Sequence, residues 1–131
     1  MRITHVAMSV PVGGLSEDRR VAIIDFYGRI FGWREMVSLR LPDRLTISVG
    51  PSDYINIRER ADPMECSGYE HFGLAVTSAE RVHSLWNELA RREDGIQVDP
   101  IETFQDGSCS FRFRHLLPLA IEIQFIGGLS T

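Results

Sequence analysis

Two histidines and a glutamate occupy equivalent positions in two copies of one sequence pattern, and side chains of these types bind divalent metal ions. His5 lies early in the first strand-like run, and His71 lies at the same point of a second run 66 residues later. The closing runs of the two copies also match, which places Glu122 at the position of Asn56. Imidazole nitrogen and carboxylate oxygen together suit borderline divalent metals. We therefore predict a metal site built from both repeats, with His5, His71 and Glu122 as candidate ligands.

Side chains alternate across a β-strand, so each candidate ligand can be assigned to one face of its predicted strand. His5, Asn56, His71 and Glu122 all lie on the face opposite the apolar residues of their strands. Small residues beside the histidines, such as Ala7, would leave room for a ligand over the sheet. A sheet with one solvated face would show the same alternation. The shared register of three ligand-type side chains favours the metal site over that alternative.

The elements that must position these residues follow the order β-α-β-β-β in the first repeat. A strand over residues 3–10 leads to a helix that Ser16 can cap and Gly32 ends, with the apolar spacing of a helix packed on one side. Proline, glycine and aspartate clusters separate three further predicted strands, at residues 33–40, 45–49 and 54–58.

The second repeat predicts the same order of elements. Thr77 and Glu80 form a capping-box pattern at the start of a helix that ends before Gly95. Asp106 and Gly107 indicate a turn. Later strands are expected at residues 96–98, 109–114 and 120–126. We expect His83 to be exposed beside the apolar face of this helix, and Tyr27 and Trp86 to serve helix packing.

Length and charge restrict the class of protein. A chain of 131 residues is long enough for one compact domain, so we treat residues 1–131 as a single domain. Its first module covers about residues 1–60 and its second about 69–127, with a linker at about 61–68. The 14 basic and 18 acidic residues are scattered and give a net charge of -4, which argues against nucleic acid and membrane partners. We expect a cytoplasmic protein with its two cysteines as free thiols.

The chain resembles the vicinal oxygen chelate superfamily, which includes glyoxalases, bleomycin-resistance proteins and extradiol dioxygenases. The resemblance rests on four stretches of the sequence, namely His5-Val6-Ala7, Phe26-Tyr27-Gly28-Arg29-Ile30-Phe31-Gly32-Trp33, His71-Phe72-Gly73-Leu74-Ala75-Val76 and Ile121-Glu122-Ile123. It implies an α+β fold of two tandem βαβββ modules whose curled mixed sheets enclose a cavity. It also implies one divalent metal ion (Fe, Zn, Ni, Mn or Co) held by His5, His71 and Glu122, and a homodimer.

Two departures from the family pattern bear on the chemistry. Asn56 stands where glyoxalase-like members usually carry a fourth ligand, a glutamate, and an amide cannot act as a proton-accepting base. Asn56 would then be a weak metal ligand or a hydrogen-bonding residue beside the ligands. Many members also have an Asp-Pro-Asp-Gly turn before the last strand, where this chain has His115-Leu116-Leu117-Pro118.

Three further residues are candidates for substrate binding. Arg58 shares a face with Asn56, and Arg112 lies in the penultimate strand, so either could bind a carboxylate or phosphate. His115 could act as an acid or base beside the centre; simple surface positions are the alternative for all three. The resemblance implies a metal-dependent lyase, isomerase, dioxygenase or thiol transferase with Glu122 at its catalytic centre, acting on a small substrate with vicinal oxygens. The alternative is a metal-free binding protein of the bleomycin-resistance type, which sequesters a small cationic molecule.

Overall fold

Two compact units of mixed α+β structure follow one another along the chain, Met1–Glu65 and Cys66–Thr131. A computed structural model describes residues 1–92 and 95–128. The boundary between the units falls inside the predicted linker at residues 61–68. No helix of the described residues is long and apolar enough to cross a bilayer. Cys66 and Cys109 are free thiols, as expected.

Unit 1 places a helix after its first strand and then returns through a short meander. Its elements are β1 (His5–Pro11), α1 (Glu17–Phe31), β2 (Arg34–Glu35), a 3-10 turn (Val37–Leu39), β3 (Arg44–Ser48) and β4 (Tyr54–Arg60). The four strands form one mixed sheet in the order β1-β4-β3-β2, in which β1 runs parallel to β4 and lies at the sheet edge.

Unit 2 repeats this arrangement with one additional short strand. Its elements are β5 (His71–Ala75), α2 (Ala79–Ala90), β6 (Gln97–Val98), β7 (Glu102–Thr103), β8 (Cys109–Arg114) and β9 (Ala120–Phe125). The sheet order is β5-β9-β8-β6, with β7 paired to β8, and β5 runs parallel to β9 at the sheet edge. The sequence did not predict β7, whose two residues carry little pattern.

The first helix has the ends that its sequence predicts. The Ser16 hydroxyl accepts a hydrogen bond from the backbone N–H of Arg19, and Gly32 closes the helix in the left-handed conformation with φ 75°. The side chains of its apolar face are buried, including Tyr27, which is 1% exposed. Burial raises the pKa of the Tyr27 hydroxyl well above its usual range. Tyr27 is therefore a packing residue, as expected.

The second helix begins one residue later than predicted. Ser78, rather than Thr77, accepts the capping hydrogen bond, from the backbone N–H of Arg81. Thr77 directly follows the backbone hydrogen bonds of β5, which extend to Val76, whose N–H donates to the carbonyl of Gln124. The helix therefore begins after Thr77. The helix ends at Ala90, earlier than the glycine signal indicated.

On the second helix, Val82, Leu85 and Leu89 are buried. The indole N–H of Trp86 donates to the carbonyl of Asp99 at 2.9 Å. His83 is exposed, as its position beside this apolar face predicts.

The predicted strand at residues 33–40 is wrong over most of its length. Only Arg34 and Glu35 pair as a strand, and the chain then forms the 3-10 turn. The buried guanidinium of Arg20 donates to the carbonyls of Leu41 and Pro42, and Arg44 donates to the carbonyl of Leu39. The Leu39 carbonyl, an acceptor that the predicted strand would have used, is thus bonded to Arg44, and Arg20 holds the carbonyls just after residue 40. Strand periodicity does not report such tertiary bonds.

The two faces of each sheet separate as the alternation predicts. Ile55 and Ile57 of β4 are buried, as are Ile121 and Ile123 of β9. Between them lie the half-buried side chains of Asn56 and Glu122, on the opposite face. The small residues beside the two histidines, Ala7, Gly73 and Ala75, are exposed on that face. Each sheet therefore has one apolar face in the core and one polar face carrying the candidate ligands.

Candidate functional site

In unit 2, the candidate ligands His71 and Glu122 lie side by side on neighbouring parallel strands. His71 is in register with Ala120, and Gly73 is in register with Glu122, so the two side chains are diagonal neighbours on one face. The distance from His71 Nε2 to Glu122 Oε2 is 3.6 Å.

A hydrogen bond fixes the orientation of the His71 ring. His71 Nδ1 lies 2.6 Å from the backbone carbonyl oxygen of Tyr69. A carbonyl oxygen only accepts hydrogen bonds, so Nδ1 must carry the hydrogen, and the lone pair of a neutral imidazole is then on Nε2, facing Glu122. Metal-binding histidines are commonly oriented by such a bond from their other ring nitrogen.

The segment in front of His71 is also held by a polar network. The backbone N–H and the hydroxyl of Ser67 both donate to Glu70 Oε2 at 2.9 Å. Hydrogen bonds from its own backbone N–H and from Ser67 hold the pKa of the Glu70 carboxyl below its usual range. The charged carboxylate thus anchors the turn that presents His71.

Unit 1 repeats the same register with His5 and Asn56. His5 pairs with Tyr54, and Ala7 pairs with Asn56, as His71 and Gly73 pair with their partners in unit 2. The His5 ring stacks on Tyr54 with centroids 4.7 Å apart, and its Nδ1 lies 3.0 Å from the Thr4 hydroxyl. Asn56 Oδ1 is buried and accepts no hydrogen bond from the described residues.

The separation of His71 and Glu122 fits a metal-binding role. Metal bonds to nitrogen and oxygen are about 2.0–2.2 Å long, so two ligands of one ion lie at most about 4 Å apart. The His71–Glu122 separation of 3.6 Å falls within that limit. Within neither unit do three or more His, Cys, Asp or Glu side chains of the described residues gather into a group that could hold an ion. That His5, His71 and Glu122 bind one metal ion together stays a prediction.

Arg112 lies on the same face as Glu122, directly opposite it on the neighbouring strand. Its Nε is 4.0 Å from Asp99 Oδ2, and its guanidinium lies 5.9 Å from the centre of the Tyr69 ring. A cavity of about 210 Å³ within unit 2 opens beside it. The structure therefore places Arg112 next to a candidate ligand, with its charge partly balanced by Asp99.

Arg58 and His115 lie in different settings. Arg58 is exposed on β4 and lines a cavity of about 450 Å³ within unit 1. His115 is half-buried in the loop between β8 and β9, where Leu116 takes a left-handed backbone conformation with φ 64°. The roles of Arg58, Arg112 and His115 toward a substrate stay predictions.

Sequence reasoning missed Tyr69, Arg44 and Arg60. Tyr69 supplies the carbonyl that orients His71, and its ring meets the His71 ring edge-on at 5.7 Å. An aromatic residue two positions before the candidate histidine was the available signal. Arg44 and Arg60 line the same cavity as Arg58. Their grouping depends on strand register, which the alternation of side chains leaves undefined.

Comparison with solved structures gives high similarity at low sequence identity. A lactoylglutathione lyase from Agrobacterium tumefaciens matches with TM-score 0.70 and 18% identity, over 98% of this chain and 97% of that one. The fosfomycin resistance protein FosX from Listeria monocytogenes matches with TM-score 0.68 and 17% identity, over 96% and 93%. A glyoxalase/bleomycin resistance protein/dioxygenase from Nocardioides matches with TM-score 0.67 and 17% identity, over 100% and 87%.

This chain has the fold of glyoxalase/bleomycin resistance/dioxygenase proteins. The α+β class and the tandem βαβββ arrangement that the resemblance implied are thereby confirmed. No protein-family model and no curated protein sequence matches the chain. The likeness is one of fold, shared by proteins with different names and activities.

Proposed function

We propose that this protein is a divalent-metal-dependent enzyme of the glyoxalase-like type, acting on a small substrate with vicinal oxygens. One observation carries the proposal: His71 Nε2 faces Glu122 Oε2 at 3.6 Å while Nδ1 is held by a backbone carbonyl. Two acceptor atoms that face each other need a cation or a proton between them. The matching register of His5 in unit 1 supports a third ligand at the equivalent position.

The chemistry follows from the types of the side chains. A bound divalent ion would polarise the substrate oxygens and stabilise developing negative charge on them. Glu122 would be the anionic ligand, and His5 and His71 the neutral ones. Asn56 offers an amide oxygen but no basic group, so proton transfer by a second ligand carboxylate at this position is not available. Arg112, opposite Glu122, would orient an anionic group of the substrate.

The fold neighbours suggest which reaction classes to test. They include a protein named as a lactoylglutathione lyase and another named as a fosfomycin resistance protein. Lyase or isomerase chemistry, oxygenation and thiol transfer are therefore the classes to screen, with Fe, Zn, Ni, Mn and Co as the candidate ions.

A metal-free binding protein of the bleomycin-resistance type is the second candidate function. Asn56 favours it, because a binder needs no fourth charged ligand and this side chain replaces the usual glutamate. The charge of the unit 1 cavity argues against a protein that binds cationic molecules. Arg44, Arg58 and Arg60 line that cavity, and no acidic side chain of the described residues does.

The first test is the metal content of untagged protein, measured by elemental mass spectrometry for the wild type and for His71→Ala, Glu122→Gln and His83→Ala. His83 is exposed on α2 and serves as a matched control. We expect about one ion per chain in the wild type and the control, and loss of the ion in the other two. Full metal content in His71→Ala would contradict the assignment. No ion in any of the proteins, even after reconstitution, would support the metal-free binder.

We further propose that the protein is a cytoplasmic homodimer. The strands that carry the two histidines, β1 and β5, lie at the edges of their own sheets. Edge strands with free backbone groups are common sites of association between chains. Sedimentation velocity of the purified protein tests the oligomeric state, and a monomer at all concentrations would contradict this part of the proposal.

A further inference from the structure

The cavity of about 450 Å³ in unit 1 has an unusual charge composition. It lies on the polar face of the sheet, and its lining includes Arg44, Arg58 and Arg60 together with the uncharged side chains of Ser9 and Met64. Three cationic residues thus surround one space. No acidic residue among those described lines it.

Two of these arginines are directly opposite each other on neighbouring strands. Arg44 of β3 pairs with Arg58 of β4. Like charges in this arrangement destabilise a sheet. An anion bound between the two side chains would balance this charge.

Little of this positive charge is neutralised within the described residues. Two N–H groups of Arg44, at Nε and at one terminal nitrogen, donate hydrogen bonds to the carbonyl of Leu39. These bonds fix the Arg44 guanidinium but add no negative charge. Arg60 forms an exposed ion pair with Asp62 at 3.3 Å. The Arg58 side chain has neither a hydrogen bond nor an ion pair with any described residue, so the five N–H donors of its guanidinium remain available.

One wall of the cavity is held in place by the segment that follows β4. The backbone N–H of Met64 donates to the Ser9 hydroxyl at 2.7 Å, and the Ser9 N–H donates to the Met64 sulfur at 3.5 Å. Ser9 is itself in register with Arg58. The cavity therefore has one side formed by the fixed thioether of Met64 and another that carries the three arginines, of which Arg58 and Arg60 are exposed.

We propose that Arg44, Arg58 and Arg60 form a binding site for a doubly charged tetrahedral oxyanion, such as the phosphate group of a small molecule. Guanidinium groups bind such anions through paired N–H donors, and the anion would relieve the repulsion between Arg44 and Arg58. The site lies wholly within unit 1. Of the candidate metal ligands only Asn56 lines its cavity; His5, His71 and Glu122 do not. The site can therefore be tested with the metal absent.

The experiment titrates inorganic phosphate into the wild type, Arg58→Gln and Arg34→Gln by isothermal calorimetry at constant ionic strength. Glutamine keeps much of the aliphatic stem and removes the charge. Arg34 is exposed on β2, does not line the cavity, and gives the same change in net charge. We expect phosphate binding to weaken about tenfold or more in Arg58→Gln and to be unchanged in Arg34→Gln. Acetate, a monoanion, should bind the wild type more weakly than phosphate.

A second readout separates binding from a merely structural role. Without phosphate, Arg58→Gln should unfold at a higher denaturant concentration than the wild type, because the like-charge pair is gone; phosphate should stabilise only the proteins that keep Arg58. The proposal is overturned if the wild type does not bind phosphate, or if Arg58→Gln binds it as tightly as Arg34→Gln does. Because no metal ligand is changed, these outcomes are independent of the metal measurements.

Discussion

At the residue scale, Asn56 shows how one side chain can be costly to the fold and useful to the site. Its buried Oδ1 has no hydrogen-bond donor among the described residues. Burying such a group without a partner costs about 1–3 kcal/mol. That cost is understandable where a ligand supplies the missing donor or positive charge, as a weakly bound metal ion or a substrate hydroxyl would. The observation thus leaves both roles considered for Asn56 open.

The backbone conformation of Leu116 also lowers the stability of the fold. Its φ of 64° is left-handed, which costs a residue with a Cβ atom about 1–2 kcal/mol. We expect Leu116→Gly to be more stable than Leu116→Ala by about 1 kcal/mol, the reverse of the usual order, because glycine adopts this conformation freely. Urea unfolding of the two variants measures the difference. An alanine variant at least as stable as the glycine variant would contradict the reasoning.

At the element scale, the two sheets position equivalent residues because they share one register. In each unit the first strand lies parallel to the last, and the residue two after the histidine faces the candidate ligand of that last strand. The β3–β4 and β8–β9 pairs continue this equivalence. A single shift of one residue would turn Glu122 into the core, so the buried Ile121 and Ile123 fix the site as well as the fold.

The turn before β8 makes a pH-dependent contribution to stability. The Ser108 N–H donates to Asp106 Oδ1 at 2.9 Å, and hydrogen bonds from Ser108 hold the pKa of the Asp106 carboxyl below its ordinary value of 3.8. The folded protein then binds fewer protons here than the unfolded chain. This stabilisation is present above the unfolded pKa and is lost as pH falls through the folded one.

As the pH falls from about 5 to about 3, the free energy of unfolding should therefore decrease less for Asp106→Asn than for the wild type. Denaturant unfolding across that range measures the difference. Glu88→Gln, which makes the same charge change at an exposed position of α2, serves as the control. Equal pH dependence in wild type and Asp106→Asn would show that the Ser108 hydrogen bonds do not favour the charged carboxylate.

At the scale of the whole molecule, the open question is whether the two compact units fold as one domain. Each unit contains one tryptophan, Trp33 in unit 1 and Trp86 in unit 2. In a Trp33→Phe background, fluorescence reports unit 2 alone. A conservative change in the core of unit 1 can therefore be tested for its effect on unit 2.

We expect Ile57→Val, in the fully buried core of unit 1, to lower the unfolding free energy by about 1 kcal/mol. If the units share one cooperative fold, Ile57→Val should shift the unfolding midpoint recorded by Trp86 fluorescence as much as the midpoint recorded by circular dichroism. Val21→Ala, at an exposed position of α1, is the control. A Trp86 midpoint that does not move would mean that the units unfold independently.

The sequence alone determined the repeat, the ends of the first helix and the face of each candidate ligand. These features depend on local propensity and on the alternation of apolar and polar residues, as Ser16, Gly32 and Glu122 illustrate. It also predicted the family likeness, which the fold confirms.

Only the tertiary structure decided which residues meet across strands and turns. Register and side-chain direction join the Tyr69 carbonyl to His71, Arg44 to Arg58, and Arg44 to the Leu39 carbonyl inside the wrongly predicted strand. Alternation assigns a residue to a face but leaves its partner on the next strand undefined, because every shift by two residues preserves the same pattern. The partners therefore emerge only when the strands are paired and the core is packed.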